Sequence, residues 1–396
     1  MKLDISCKIG GCEMKICFIS PSVGTISGGT ETIIHQFARH LGGEHDVTIL
    51  TGRSRYKPML KKHMEGPFNV LTVPFWPRFT PINNIACKIV QRFTPYKAES
   101  YSFYYNVAAR FKIKRKIKEM DVISTHYWVD SRLFSNLAYN LGVPSVYHIL
   151  GGPYSKEYFN VDKSTLYAAV SRHTQSQINT VHGYKIKDVV TPGIPSQILS
   201  DDDKIEVRKE DEQLSLLFVG RLQQSKGIFE LIEIYKLLLE QFPNLRLTII
   251  GEGELFGKLK ERINNFKLND KIHLTGPLPY EDVFKYYRSS TILAFPTQIE
   301  VFPLVSIEAM ACGLPVVASD IPGLRESTGG NAVLLPPENI GRWVESLGKL
   351  LKNEEQRKAL SSKGVEWAKD FTWEKKAKEY EEVLRKAIKL YKTGKD

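Results

Sequence analysis

The feature that most constrains this chain is an alternation, made twice over, of short apolar runs with longer amphipathic stretches. In the first half the strand-like runs are Lys15–Ser20, Val47–Thr51, Val70–Val73, Val122–Thr125, Ser145–Ile149, Leu166–Val170 and Val189–Thr191. Between them, stretches such as Glu31–Leu41 place Ile33, Ile34, Phe37, Ala38 and Leu41 at helical spacing. The second half repeats the pattern with strands at Leu214–Val219, Leu245–Ile250, Ile272–Leu274, Ile292–Phe295, Pro315–Ala318 and Ala332–Leu335. Helices are expected there at Gly227–Gln241, near Leu255–Asn265, at Tyr280–Ser289 and at Leu304–Cys312, with Gly313 where a left-handed stop belongs. Runs that are apolar on both faces suit parallel strands covered by helices on both sides. The expected class is therefore α/β, with two doubly wound parallel-sheet domains, residues 14–199 and 214–373, facing a cleft. A polar linker, 200–213, joins them, residues 1–13 read as an extension, and a long amphipathic helix runs from about Trp373 to Tyr391.

The chain has 396 residues, 42% hydrophobic and 25% charged. Such usage excludes a disordered, collagenous or rod-like chain as a description of the whole. No apolar run reaches the roughly 18 residues of a membrane-spanning helix, and the opening residues lack a signal-peptide core. Five cysteines are too few for a disulfide scaffold, so a cytoplasmic setting is expected. Cys7, Cys12 and Cys17 recur at a spacing wider than that of metal-binding pairs, and no metal site is expected. The net charge of +11 is unevenly spread: residues 1–200 hold 25 Lys and Arg against 13 Asp and Glu. A basic first half implies an anionic partner there, whether nucleic acid, a membrane surface or a phosphorylated substrate.

In open α/β sheets ligands bind beyond the carboxyl ends of the strands, and the candidate residues fall there. Gly28 and Gly29 precede a helix near Glu31, where backbone N–H groups could approach an anion; a flexible loop capped by Thr30 is the alternative. Gly220-Arg221-Leu222 and then Lys226-Gly227 follow a strand, and two cations beside a helix start suit a diphosphate; the alternative is a solvated basic loop. Gly251, Gly253 and Gly257 imitate a dinucleotide fingerprint, but their spacing departs from GxGxxG. They read as a tight turn that lets a base come close to backbone, or as a plain turn. Glu300 and Glu308 flank a helix start at which Pro303 fits the first helical position and the N–H groups of Leu304 and Val305 point outward. Together these would grip a sugar nucleotide at three points; surface glutamates are the alternative. His126 and His148 sit on strand ends of the first domain, as ligands or as structural residues. Asp201-Asp202-Asp203 contains a DxD pattern but lies in the polar linker, where a solvated charge run is the reading.

These motifs, GGTE at 28–31, GRL…KG, GEGEL, the Glu300/Glu308 pair leading into EAMACGLPVVASD, and FTW at 371–373, resemble the retaining glycosyltransferases of family 4, which have the GT-B fold. The resemblance runs from about Met14 to the C-terminus and is densest over Leu216–Leu335. It implies a nucleotide-diphosphate sugar donor, UDP- or GDP-linked, and no metal or other cofactor. By analogy Arg221 and Lys226 would neutralise the diphosphate, Glu308 would bind the ribose hydroxyls, and Glu300 would contact the donor sugar. His126 would meet that sugar from the facing domain, Gly28 and Gly29 would lie near the diphosphate and acceptor, and the base would meet backbone around Gly276–Leu278. The helix 374–396 would cross back onto the first domain. Where the family usually has Glu-Gly-Phe-Gly this chain has Glu300-Val301-Phe302-Pro303, and the usual GG-x-x-E is Pro322-Gly323-Leu324-Arg325-Glu326.

For the acceptor, the stretch Leu71–Tyr96 mixes Phe75, Trp76, Phe79 and Phe93 with Arg78, Lys88 and Arg92, and residues 111–118 read FKIKRKIK. Aromatics interleaved with cations suit an anionic bilayer surface; a partly buried loop and a solvated helix face are the alternative. The expected acceptor is a glycan, a lipid-linked species or a phosphorylated small molecule, with the enzyme peripheral on the cytoplasmic membrane face. Nucleic acid is not the expected partner, since no reading motif accompanies the charge. A sugar-nucleotide epimerase, a phosphorylase, or a binding protein with a weakened site are the rival functions on the same fold.

Overall fold

A computed structural model of the chain describes residues 13–20, 23, 29–54, 65–75, 111–151, 165–183, 185–200 and 213–394. Gly28, the DxD at 201–203, most of the linker and extension, and residues 76–96 of the aromatic-basic stretch lie outside the described residues.

Two sheets organise the chain. The first has strands β1 (Lys15–Ile19), β2 (Asp46–Ser54), β3 (Asn69–Phe75), β4 (Val122–Thr125), β5 (Ser145–Ile149), β6 (Thr165–Ala169) and β7 (Asp188–Val189), in the order β3-β2-β1-β4-β5-β6-β7. The second has β8 (Ser215–Val219), β9 (Arg246–Ile250), β10 (Ile272–Gly276), β11 (Ile292–Phe295), β12 (Val316–Ser319) and β13 (Val333–Leu335), in the order β10-β9-β8-β11-β12-β13. Every strand expected from the sequence is present within a residue or a few of its ends. The pairings of the second sheet are parallel throughout. The order is that of a doubly wound fold, which reverses direction at β1/β4 in the first sheet and at β8/β11 in the second; such switch points open a crevice at the strand ends.

The burial follows from the sequence. Every residue of β4, β11 and β12 is buried, because these central strands carry helices on both faces. In the first unit Cys17, Ile19, Leu50, Ile123 and Phe134 share one cluster. Burial pushes the Cys17 thiol up to about 12, so it packs as a small apolar side chain. In the second unit Trp343, Tyr235, Phe218 and Phe295 are fully buried, and the Tyr235 hydroxyl donates to the Leu245 carbonyl at 2.6 Å.

The described residues divide into two compact units. The first takes the chain up to Ala169, Ile178–Asp188 and Ala377 onward; the second takes Val170–Gln177 and Val189–Lys376. The last helix, Trp373–Thr393, therefore begins in the second unit and contributes most of its length to the first. There Tyr380 is fully buried and stacks on Phe37 with ring centroids 4.6 Å apart, while Lys386 binds Asp188 at 2.7 Å. Among the described residues no helix is long and apolar enough to cross a membrane.

Candidate functional site

In the second unit the loops at the carboxyl ends of β8, β9 and β10 are laced by backbone hydrogen bonds. Gly220 N–H donates to the Ile250 carbonyl, Gly251 N–H to the Gly276 carbonyl at 3.0 Å, and Leu222 N–H to the Glu252 carbonyl at 2.8 Å. Three of the glycine motifs singled out in the sequence thus form one continuous rim. Arg221, Glu252, Gly253, Phe256 and Pro277 line a pocket of about 560 Å³ on that rim, and Arg221 is exposed. The β9/β10 register slips between Leu274 and Gly276, a bulge that re-aims the segment leading to Leu278.

The switch point between β8 and β11 holds the charged pair. Gln298 N–H donates to the Ser225 carbonyl at 2.8 Å, and the Thr297 hydroxyl reaches the same oxygen at 3.1 Å. Gly227, at φ +65°, closes the approach: a Cβ there would collide with the Pro296 carbonyl. The two loops are therefore stitched together, and the Lys226 ammonium meets Glu300 Oε1 at 2.5 Å with both side chains mostly buried, 15% and 17% exposed. Burial pushes the Glu300 carboxyl above the ordinary glutamate range, and Lys226 pulls against that shift. Beyond Glu300, Phe302 anchors the loop against Phe371.

The helix Leu304–Ala311 follows. Pro303 is its N-cap, with extended backbone at φ −77° and ψ 116°, rather than the first helical residue expected from the sequence. A proline fixes φ but leaves ψ free, so φ alone could not decide between the two positions. Leu304 and Val305 then open the helix half-buried, and among the described residues their N–H groups meet no acceptor. Helix-start donors without partners, four and five residues beyond the lysine-bound Glu300, are of the kind that accept an anion.

Glu308 lies one turn inside that helix and is 6% exposed. Its Oε1 accepts from the Tyr280 hydroxyl at 2.7 Å and its Oε2 from the Tyr287 hydroxyl at 3.0 Å. Burial raises its pKa, and the two tyrosine bonds offset part of the rise. The folded chain thus holds a proton on Glu308 more tightly than the unfolded chain does. The associated stability is complete below the ordinary glutamate pKa and is lost as pH rises through the folded value. Urea unfolding of the wild type and Glu308→Gln across the acid-to-neutral range checks this: wild-type stability relative to the variant is expected to fall with rising pH and then level off.

Gly323, within the departed GG-x-x-E motif, abuts the backbone of Glu300: an added Cβ would overlap the Glu300 carbonyl. Gly323→Ala is expected to cost about 1–3 kcal/mol of stability, as overpacking does, and to displace the Glu300 loop. Chemical denaturation together with the turnover rate checks both effects. Two residues that sequence reasoning did not single out emerge here, together with a contact of Glu326, which ends the departed GG-x-x-E motif. Tyr280 and Tyr287 hold Glu308, and Glu326 accepts the N–H groups of Arg172 (2.6 Å) and His173 (3.1 Å) at the start of the helix Arg172–His182. Tyr280 and Glu308 are 28 positions apart, and no spacing pattern connects them.

In the first unit Gly29 opens the helix Gly29–Leu41 and is exposed. Two residues on, the buried Glu31 accepts from the Tyr127 hydroxyl at 2.5 Å, which ties the start of that helix to the loop after β4. His126, next to Tyr127, is 4% exposed. Its Nε2 lies 3.0 Å from Ser124 Oγ, which is 2.6 Å from the Tyr380 hydroxyl. Burial, with a further push from His148, holds the His126 pKa well below the usual histidine value, so the ring is neutral near pH 7. Its Nδ1 has no partner among the described residues. Among the described residues, one three-residue group, Glu44, His45 and Glu381, gathers potential metal ligands. His45 Nδ1 accepts from Met14 N–H at 3.3 Å, so the ring proton sits on Nε2, 3.2 Å from Glu381. That tautomer offers a cation no lone pair.

The glycosyl transferases group 1 family profile matches residues 200–367. An uncharacterized glycosyltransferase of Haemophilus influenzae is 30% identical over 292 residues, 69% of this chain and 79% of that protein. The chain belongs to the glycosyl transferases group 1 family. A D-inositol 3-phosphate glycosyltransferase of Corynebacterium urealyticum is also 30% identical, over 177 residues. That match spans 42% of either chain, less than half the relative's length. Among solved structures, Anabaena HepE in complex with UDP and glucose superposes with a TM-score of 0.70 at 18% identity, covering 94% of this chain and 100% of that one. The likeness gives this family member the GT-B fold, with its two parallel-sheet Rossmann-like domains.

Proposed function

We propose that this glycosyltransferase moves a hexosyl group, with retention of configuration, from a nucleotide-diphosphate sugar to an acceptor that carries phosphate or a lipid. The observation that carries the reading is the Lys226–Glu300 pair, followed within five residues by the partnerless N–H groups of Leu304 and Val305. When the bond between sugar and diphosphate breaks, negative charge develops on the leaving phosphate and positive charge on the sugar. A lysine and helix N–H groups stabilise the first, and a carboxylate stabilises the second. Arg221, on the neighbouring pocket, adds a guanidinium fork for the same diphosphate. Glu300 stands on the sugar side and Glu308 on the ribose side. Gly251, Gly253, Gly276 and Leu278 line the approach of the base. The leaving phosphate oxygen takes the acceptor proton, so donor and acceptor exchange partners on one face. With three fixed cationic or N–H elements around the diphosphate, the reading requires no metal.

In this proposal His126 contacts the donor sugar, and Gly28 and Gly29 serve the diphosphate and the acceptor. The name of the Corynebacterium relative, a D-inositol 3-phosphate glycosyltransferase, supports a phosphorylated acceptor, as does the basic first half of the chain. The test of the donor reading is nucleotide release from UDP-, GDP- and ADP-sugars, with the anomeric configuration of the product read by NMR. Release from none of them, or inversion, overturns it. A cytoplasmic enzyme peripheral to the membrane is the matching location. Cosedimentation with vesicles is expected to be several-fold greater for anionic than for neutral lipid at low salt, and lost at high salt.

A further inference from the structure

The environment of Glu308 raises a question that its assignment to ribose does not answer: a carboxylate this deeply buried cannot be left without donors, yet a ligand must reach it. Among the described residues no cation pairs with it, and its two oxygens are held by two neutral phenols. The phenols are not equivalent. Tyr287 is 1% exposed in the body of the helix Tyr280–Ser289. Tyr280 is the first residue of that helix and 40% exposed, with one edge packed on Phe284 at a centroid distance of 4.8 Å. Tyr287 is fixed by packing on all sides, whereas Tyr280 has solvent into which it can turn. Tyr280 also ends the segment that leaves β10 through Pro277, a wall of the pocket.

We propose that Tyr280 is an exchangeable hydroxyl, occupying on Glu308 Oε1 the place that a ribose hydroxyl of the nucleotide takes, and turning outward as the nucleotide enters. The inference rests on the assignment of Glu308 to ribose made above. A phenol and a sugar hydroxyl are both neutral O–H donors, so the exchange keeps the number of hydrogen bonds on the carboxylate constant. Glu308 is then never unsatisfied, with or without substrate, while Tyr287 holds its orientation throughout. The tyrosine competes with the ligand, so part of the intrinsic affinity is spent on displacing it. A ligand without ribose hydroxyls cannot complete the exchange, which makes Tyr280 a specificity-determining residue for ribonucleotides.

The experiment is calorimetric titration of the full chain with UDP, GDP and ADP, and of the tightest of these against its 2′,3′-dideoxy counterpart. The proteins are the wild type, Tyr280→Phe, Glu308→Gln and the double variant, each checked for unchanged circular dichroism. Phenylalanine keeps the ring and its packing on Phe284 and removes only the competitor. The expected result is that Tyr280→Phe binds the ribonucleotide roughly 3- to 10-fold tighter, the equivalent of one hydrogen bond. The dideoxy compound should show no gain, and the gain should vanish in the Glu308→Gln background. Equal or weaker ribonucleotide binding by Tyr280→Phe, while Glu308→Gln still weakens binding, overturns the exchange and makes Tyr280 a permanent clamp. An equal gain for the dideoxy compound also overturns it. Wild-type affinity in Glu308→Gln, or no binding of any of the three nucleotides, overturns the ribose assignment itself and the inference with it.

Discussion

Glu300→Gln is expected to slow sugar transfer by about 10²–10³-fold, the usual cost of losing one preorganised electrostatic contact to a transition state. Glutamine has the size and much of the hydrogen-bonding reach of glutamate, so the loop it sits in, stitched to Ser225 and anchored by Phe302, should hold its shape. In the proposed reaction, what disappears is the negative charge facing a sugar that becomes cationic as its bond to phosphate lengthens. The loss should fall on kcat, with little change in nucleotide affinity, because that charge develops only in the transition state. Steady-state kinetics with the best donor, alongside calorimetric binding of the free nucleotide, separates the two. Equal turnover by variant and wild type would remove Glu300 from the reaction.

Lys226→Met should have a comparable kinetic effect and a second consequence that Glu300→Gln lacks. On the proposed reading it takes a cation from the leaving diphosphate, so both nucleotide affinity and kcat should fall, kcat again by about 10²–10³-fold. It also leaves Glu300, 17% exposed and already shifted upward by burial, without its counter-charge. Removing one partner of a buried pair costs about 3–5 kcal/mol; water at the rim of this site should keep the loss toward the lower end. Denaturant unfolding measures it. The double variant Lys226→Met/Glu300→Gln is expected to regain most of the stability and none of the activity. Recovery of activity in the double variant would mean that the pair is a structural bridge only.

Much of this fold was legible in the residues because a buried strand of a parallel sheet writes its own signature. Val122–Thr125 and Ile292–Phe295 are apolar or small throughout, and both are buried along their whole length. The strand-end glycines were legible for a similar reason: backbone packed against backbone, as at Gly251 on Gly220 and Gly253 on Leu222, excludes larger residues. The charged residues of the site could be listed, but their partners could not. Arg221 and Lys226 both read as diphosphate cations on one loop, yet only Lys226 is bound to Glu300, while Arg221 faces the pocket. His126 could be read as a ligand or as a structural residue; its partners, Ser124 and, through Ser124, a tyrosine 256 residues further along, were not readable.

The order and type of the elements, the doubly wound class and the loops that carry chemistry were thus determined by the amino-acid sequence alone, since hydrophobic periodicity and glycine placement act within a few residues of themselves. Tertiary structure alone decided who touches whom: Lys226 with Glu300, Tyr280 and Tyr287 with Glu308, Gly323 with the Glu300 backbone, and Tyr380 with Ser124. Those contacts join elements brought side by side by sheet order and helix packing. A hydrogen bond across 28 or 256 positions leaves no periodic trace, because its geometry exists only once the strands between have been laid down.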